Sequence, residues 1–141
     1  MPSDYDPTSR PWYTQAVEED KIIWTDPYTD ATSGELVISA AAPVYTASGK
    51  ITGVVAIDLN LDALSSEISG INIGKTGYPV IIAPDGTTIV HRSADVVGKA
   101  IPIEELADFV ANNSSGSYTY NWQDVDKIAV LQTIERLNWK V

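Results

Sequence analysis

The sequence predicts an α+β fold built from two similar units, each an antiparallel sheet with helices packed on it. Two largely apolar stretches, 35–45 and 50–59, flank the tight connection Ala47-Ser48-Gly49, which is the pattern of a β-hairpin. Each half of the chain also contains a short segment with apolar residues at helical spacing. The second half ends in polar and aromatic residues that alternate, as a half-buried strand should. These observations together indicate a helix and a series of strands in each half.

In the first half, we predict two helices around the hairpin and one short strand before it. Pro11 suits the first turn of a helix over 12–19, and a short strand is expected over 21–25. A second helix is predicted over 61–68 and ends at Gly70. Because both hairpin strands are largely apolar, we expect them to be central in the sheet and covered on at least one face.

In the second half, we predict a hairpin, a helix and a three-stranded meander. Asp85-Gly86 is a strong two-residue turn signal between strands over 78–83 and 87–91. Pro102 opens a helix over 103–111. The strands of the meander are expected over 117–122, 127–134 and 137–141. Their first strand carries Tyr118, Tyr120 and Trp122, which we expect to pack on that helix, with a second pocket as the alternative.

We place the boundary between the two units near residue 70, so that the first unit covers 1–70 and the second 71–141. The first unit has no hairpin before its first helix, whereas the second unit does, so the first is expected to be truncated on its N-terminal side. The second unit stops within its last predicted strand. We therefore expect the chain to be a fragment of a longer protein.

Composition excludes several classes of function. The 141 residues carry a formal charge of −10, which disfavours nucleic acid and anionic membrane as partners. No apolar run approaches the length of a membrane span. Cysteine is absent and His91 is the one histidine, so neither thiol chemistry nor a Cys- or His-rich metal site is expected. No cofactor is expected, and His91 is interpreted as an ordinary half-exposed side chain.

Acidic residues are concentrated in the first half, where 1–70 holds eleven acidic and three basic residues. Several of the acids could suggest a site for a hard cation, but their spacing lacks the calcium-loop pattern. We interpret them as a solvated acidic face and predict no metal site. The residues concerned are Asp4, Asp6, Asp26, Asp30 and Glu35.

The exception to this acidic half is Arg10, which lies among aromatic residues. A guanidinium offers a planar fork that matches a carboxylate, and Tyr and Trp supply hydrogen-bond donors and apolar walls. Asp58 ends an apolar strand and needs a partner if it is covered. One cation and one anion facing a cavity would suit a zwitterion such as an amino acid. Two alternatives remain: Arg10 and Asp58 form a structural ion pair, or Trp12 and Tyr13 are core residues of the helix.

Three stretches of the chain resemble double Cache sensor domains. They are Tyr5-Asp6-Pro7-Thr8-Ser9-Arg10-Pro11-Trp12-Tyr13, then Asp26-Pro27-Tyr28, and then Gly53-Val54-Val55-Ala56-Ile57-Asp58. The run from Gly74-Lys75-Thr76-Gly77-Tyr78 to His91 is similar to the opening hairpin of the membrane-proximal module of these domains. The resemblance implies two PAS-like units, the first membrane-distal and the second membrane-proximal.

The resemblance also implies a site and a function. In the amino-acid-binding subset of this family, the matching residues would be Tyr5, Arg10 and Trp12 for the ligand carboxylate, with Tyr13, Tyr28 and Asp58 for its ammonium. The domain would be an extracytoplasmic ligand sensor of a membrane-anchored, homodimeric chemoreceptor or sensor histidine kinase, without catalysis of its own. A sensor for a simple carboxylate or amine, an extracytoplasmic enzyme and a structural spacer remain as alternatives.

Overall fold

The computed structural model describes residues 5–141. Within them the chain divides between Leu61 and Asp62 into two compact units. Each contains an antiparallel sheet and at least one helix, so the predicted α+β class is confirmed. No helix among the described residues is both long and apolar enough to cross a membrane.

The first unit contains one α-helix, a short 3-10 helix and four strands. In chain order they are the 3-10 helix Pro7–Ser9, α1 (Pro11–Glu19), β1 (Ile23–Trp24), β2 (Tyr28–Thr29), β3 (Leu36–Tyr45) and β4 (Ile51–Asn60). The predicted helix and hairpin are therefore present, and the 3-10 helix is an addition. Strand β3 is central, because it pairs with β4 along one side and with both β1 and β2 along the other. The expectation that both hairpin strands are central is wrong for β4, which has no further strand partner within residues 5–141.

Helix α1 packs on the face of this sheet that carries small residues. Ala16 of the helix is fully buried against Ile23 and Ala41. The register pairs Ala41 with Ala56, so two alanines lie side by side beneath the helix, and side chains of this size let a helix approach the sheet closely. Two residues further along the same face, the register pairs Ser39 with Asp58. The sheet face under α1 therefore carries an apolar pair, Ala41 and Ala56, and next to it a polar pair, Ser39 and Asp58.

The second unit contains two α-helices, a 3-10 helix and five strands. They are α2 (Leu61–Ser69), β5 (Ile81–Ile82), β6 (Thr88–Val90), the 3-10 helix Ala94–Val96, α3 (Glu104–Asn112), β7 (Ser115–Trp122), β8 (Val125–Ile134) and β9 (Trp139–Lys140). The strand order is β6-β5-β9-β8-β7, and α3 packs on the sheet through Leu106 and Val110, which are buried with Ile82 and Leu131. Helix α2 begins at the division between the units, whereas the sequence places the boundary after it. The Ser65 hydroxyl donates to the His91 carbonyl at 3.0 Å, which ties the helix to the second unit.

Two strands of the second unit are shorter than predicted. The strand expected over 78–83 is reduced to Ile81–Ile82, because these are the residues of this segment that pair with β6. The chain before it forms a closed turn between Ile73 and Gly77. A Cβ at Gly77 would lie 2.7 Å from the Ile73 carbonyl oxygen, so the turn requires glycine there. The strand expected over 137–141 is reduced to Trp139–Lys140, because it follows a turn in which Asn138 has a φ of 53°.

Candidate ligand-binding site

The polar pair on the face under α1 is part of a chain of three side chains. The Tyr28 hydroxyl lies 2.7 Å from Ser39 Oγ, and Ser39 Oγ donates to Asp58 Oδ1 at 2.6 Å. A serine hydroxyl has one hydrogen, and here Asp58 accepts it. Tyr28 therefore donates to Ser39, and its oxygen keeps its capacity to accept from another group.

Arg10 lies over the ring of Tyr28. Its Cζ is 5.5 Å from the centroid of the Tyr28 ring, and its Nη2 donates to the Thr29 carbonyl at 2.7 Å. The backbone of Arg10 is fixed because it precedes Pro11, which favours an extended residue before it, and Arg10 has a ψ of 150° as the N-cap of α1. The Thr29 bond uses one of the five N–H donors of the guanidinium.

Both charged side chains act on Tyr28. Burial is the main cause that raises the pKa of the Tyr28 hydroxyl above its ordinary value, while the charge of Asp58 raises this pKa further and the charge of Arg10 lowers it. Arg10 and Asp58 are held by different partners, Thr29 and Ser39 respectively. No ion pair joins Arg10 and Asp58 within residues 5–141, so the alternative of a structural ion pair is wrong.

The aromatic residues of the predicted site are half-buried. Trp12 and Tyr13 follow each other on α1, with ring centroids 5.7 Å apart in an edge-to-face arrangement. Trp12 also packs against the core of Ala16, Ile23 and Ala41. It therefore has the packing role that the sequence left open as an alternative. Tyr5 lies just before the 3-10 helix and is half-buried as well.

Ser39 is the participant that sequence reasoning missed. In the sequence it reads as a polar interruption of an apolar strand, yet its side chain is fully buried. Its backbone N–H donates to Thr25 Oγ1 at 2.9 Å, so the neighbouring segment also holds it in place. Counting the hairpin pairing back from Tyr45 and Ile51 would place Ser39 opposite Ile57, but a register shift between Val44 and Tyr45 brings Ser39 opposite Asp58.

Two of the acidic residues named above, Asp6 and Asp30, have structural roles in turns. Asp6 accepts from the backbone N–H and hydroxyl of Thr8, and these hydrogen bonds lower the pKa of its carboxyl. Asp30 accepts from the N–H groups of Thr32 and Ser33, and the Ser33 bonds are the main cause of its lowered pKa. Glu35 accepts from Asn60 at 2.6 Å. Asp4 lies outside the described residues.

Comparison with known proteins identifies the chain. Two small α+β units, the first with a cation over a tyrosine ring and an anion linked to the tyrosine hydroxyl through a serine, are typical of a ligand-binding domain. The dCache_1 family model, a Cache domain, matches residues 1–141. The chain belongs to this family, and the resemblance found in the sequence is confirmed.

Among curated proteins, the chain is similar to the methyl-accepting chemotaxis protein McpC of Bacillus subtilis strain 168. The two are 34% identical over 140 residues, which cover 98% of this chain and 20% of McpC. The chain therefore spans about a fifth of the length of the curated relatives it matches.

Two solved ligand-binding domains have a similar fold. One belongs to the Pseudomonas fluorescens chemoreceptor CtaA in complex with L-isoleucine, with a TM-score of 0.79, 30% identity and coverage of 99% of this chain and 58% of that one. The other belongs to the amino acid chemoreceptor PctB of Pseudomonas aeruginosa PAO1 in complex with L-Arg. Its TM-score is 0.77 at 29% identity, with coverage of 99% of this chain and 60% of that one.

Proposed function

We propose that this chain is the ligand-sensing domain of a transmembrane receptor and that its first unit, which ends at Leu61, binds an amino acid. The observation that carries the proposal is the Tyr28–Ser39–Asp58 chain with the Arg10 guanidinium over the Tyr28 ring. A cation over the Tyr28 ring and an anion linked to its hydroxyl through Ser39 match a zwitterion. The solved relatives CtaA and PctB, which were crystallised with amino acids, support the same ligand class.

Each end of the ligand has a partner in this arrangement. The carboxylate is held by the guanidinium N–H groups of Arg10 that the Thr29 carbonyl does not use, with Tyr5 and Trp12 beside them. The ammonium is held by Asp58 Oδ2, since Oδ1 already accepts from Ser39. The oxygen of Tyr28 accepts from the same ammonium, and Tyr13 completes the site.

In the proposed receptor, binding has a signalling consequence and no chemical one. Cache domains of chemoreceptors are extracytoplasmic sensors, and the domain itself is not catalytic. Ligand binding shifts the balance between two arrangements of the domain when the affinities for them differ. We propose that the full-length protein is anchored in the cell membrane, acts as a homodimer and passes this shift to a methyl-accepting or histidine kinase module.

Isothermal titration of the purified full-length protein with the twenty L-amino acids tests this function. We expect at least one to bind, and, for a ligand larger than glycine and alanine, we expect its deaminated acid and its decarboxylated amine each to bind at least about tenfold more weakly, since each lacks one charged contact. If no amino acid binds, or if the acid or the amine binds as well as the amino acid, the proposal of a zwitterion site fails.

Ser39 provides a smaller test of the same site. We expect Ser39→Ala to weaken amino acid binding by about 5- to 20-fold, because Tyr28 and Asp58 both lose the hydrogen bond that orients them. Titration with the amino acid found above measures the change. Ser48→Ala, which removes a hydroxyl from the exposed turn between β3 and β4, should leave the affinity unchanged. Equal affinities for the two variants would contradict the orienting role of Ser39.

A further inference from the structure

The second unit contains a cavity of its own, with a volume of about 60 Å³. Its apolar wall is formed by Val80, Ile82, Ile101 and Leu106. Its polar and aromatic lining includes Tyr78, Thr88, His91, Tyr120 and Trp122. The expected packing of the aromatic strand on α3 is present, since Tyr118 stacks on Phe109 at 5.2 Å. Tyr120 and Trp122 also line the cavity. The second pocket that the sequence offered as an alternative is therefore present, and we ask which molecule it could bind.

Thr88 is one of the residues that line this cavity, and its buried hydroxyl is unused. The residue is 1% exposed, and its Oγ1 has no hydrogen-bond partner in the described part of the chain. Its backbone is fully engaged, because its N–H donates to the Lys99 carbonyl and its carbonyl accepts from the N–H of Gly98, both at 2.8 Å. A buried hydroxyl without a partner is costly, so a molecule that pairs with it would be bound favourably.

Tyr78 presents a second donor, because its oxygen already accepts twice. The Ser93 N–H lies 2.9 Å from His91 Nδ1, which is shorter than the 3.4 Å from that nitrogen to the Ser93 carbonyl. This network assigns the ring proton to Nε2, which lies 3.4 Å from the Tyr78 oxygen. Lys127 Nζ also donates to that oxygen, at 3.1 Å. The hydrogen of the Tyr78 hydroxyl therefore remains available to a bound molecule.

The charge around this cavity is positive. Lys127 Nζ lies 5.2 Å and Arg92 Cζ 4.8 Å from the centroid of the Tyr78 ring. Neither has a carboxylate within ion-pair distance among residues 5–141. Burial lowers the pKa of His91, the Ser93 backbone raises it and Lys127 lowers it, so this ring stays neutral at pH 7. The Tyr78 and Thr88 hydroxyls can each donate a hydrogen bond, and Lys127 carries a positive charge without a carboxylate partner in the described chain. These groups together favour a bound anion.

We infer that this cavity binds a short-chain monocarboxylate of the size of acetate or propionate. The carboxylate accepts from the Tyr78 and Thr88 hydroxyls and is neutralised by Lys127, while the alkyl group lies against the apolar wall. A volume of about 60 Å³ has room for roughly four to five water-sized positions, which fits such a molecule. No acidic residue lines the cavity within the described chain, so an ammonium group has no partner there and an amino acid is disfavoured.

Titration of the full-length protein with propionate tests this inference. We expect propionate to bind at millimolar concentration or below, and its neutral analogue propionamide to bind at least about tenfold more weakly. Thr88→Val should weaken propionate binding by about tenfold, and it should raise the thermal unfolding midpoint in the absence of ligand, because it removes the unpaired hydroxyl. Thr119→Val, on an exposed position of β7, is the matched control and should leave the affinity unchanged.

A second variant guards against a Thr88 variant that fails to fold. Lys127→Gln keeps the length and polarity of a half-buried side chain but removes the charge, and we expect it to weaken propionate binding while the far-ultraviolet circular dichroism spectrum stays unchanged. Equal binding of propionate and propionamide would overturn the inference, as would undiminished propionate affinity in either cavity variant. Absence of any binding at millimolar propionate would mean that the cavity holds water alone, which also overturns it.

Discussion

Replacement of Arg10 by alanine is expected to weaken amino acid binding by about 100-fold. The guanidinium is the proposed partner of the ligand carboxylate, and hydrogen bonds to a charged group contribute about 1.5–3 kcal/mol, so their loss corresponds to this change in the dissociation constant. Arg10→Lys should recover part of the affinity, because lysine keeps the charge but lacks the planar fork. Isothermal titration of the full-length protein measures each value.

The control for Arg10 is Lys21, whose side chain is 66% exposed and pairs with Glu19. Lys21→Ala removes one positive charge from the same unit and should leave the affinity within about twofold, because an exposed ion pair contributes little. If Arg10→Ala behaved like Lys21→Ala in titration, the carboxylate would not be bound by Arg10. A loss of thermal stability without a loss of affinity would indicate that Arg10 is a packing residue.

The second large effect is expected at Asp58. Asp58→Asn keeps the shape of the side chain and its contact with Ser39, but it removes the negative charge that pairs with the ligand ammonium. We expect a loss of affinity of about 30-fold for an amino acid. The deaminated acid of the same amino acid should bind the variant and the native protein about equally, because it has no ammonium to pair with Asp58.

Asp62 is the matched control for Asp58, as an exposed carboxylate in the first turn of α2. Asp62→Asn should not change the affinity for the amino acid or for the deaminated acid. If Asp58→Asn lost affinity equally for the amino acid and for the deaminated acid, the Asp58 carboxylate would stabilise the fold of the site and would not bind the ligand ammonium. The same titration, repeated with both ligands on each variant, separates these two roles.

Local signals explain the elements that the sequence predicts well. Helix α1 begins at a proline, and the hairpin of β3 and β4 has ten residues in each strand around a short turn, so the neighbouring residues determine both. Strand β5 is shorter than predicted because, within 78–83, Ile81 and Ile82 are the residues that pair with β6, although the composition of the whole segment is typical of a strand. The pairing of β5 with β9 joins residues far apart in the chain, and such long-range pairing leaves no local pattern.

The candidate site divides in the same way. Arg10 and Asp58 could be predicted because a charge among aromatic residues or at the end of an apolar strand is unusual. Ser39 could not, because its importance depends on which residue of β4 lies opposite it. Thr88 could not be predicted for a related reason. Threonine is a common residue in strands, and its unpaired hydroxyl becomes evident in the folded second unit.

A crystal structure of the protein with its tightest-binding L-amino acid tests the central claim most directly. We expect the ligand carboxylate within hydrogen-bond distance of the Arg10 guanidinium and the ammonium within hydrogen-bond distance of Asp58 and the Tyr28 oxygen. An amino acid bound elsewhere, or bound in the first unit with neither Arg10 nor Asp58 in contact, would contradict the account.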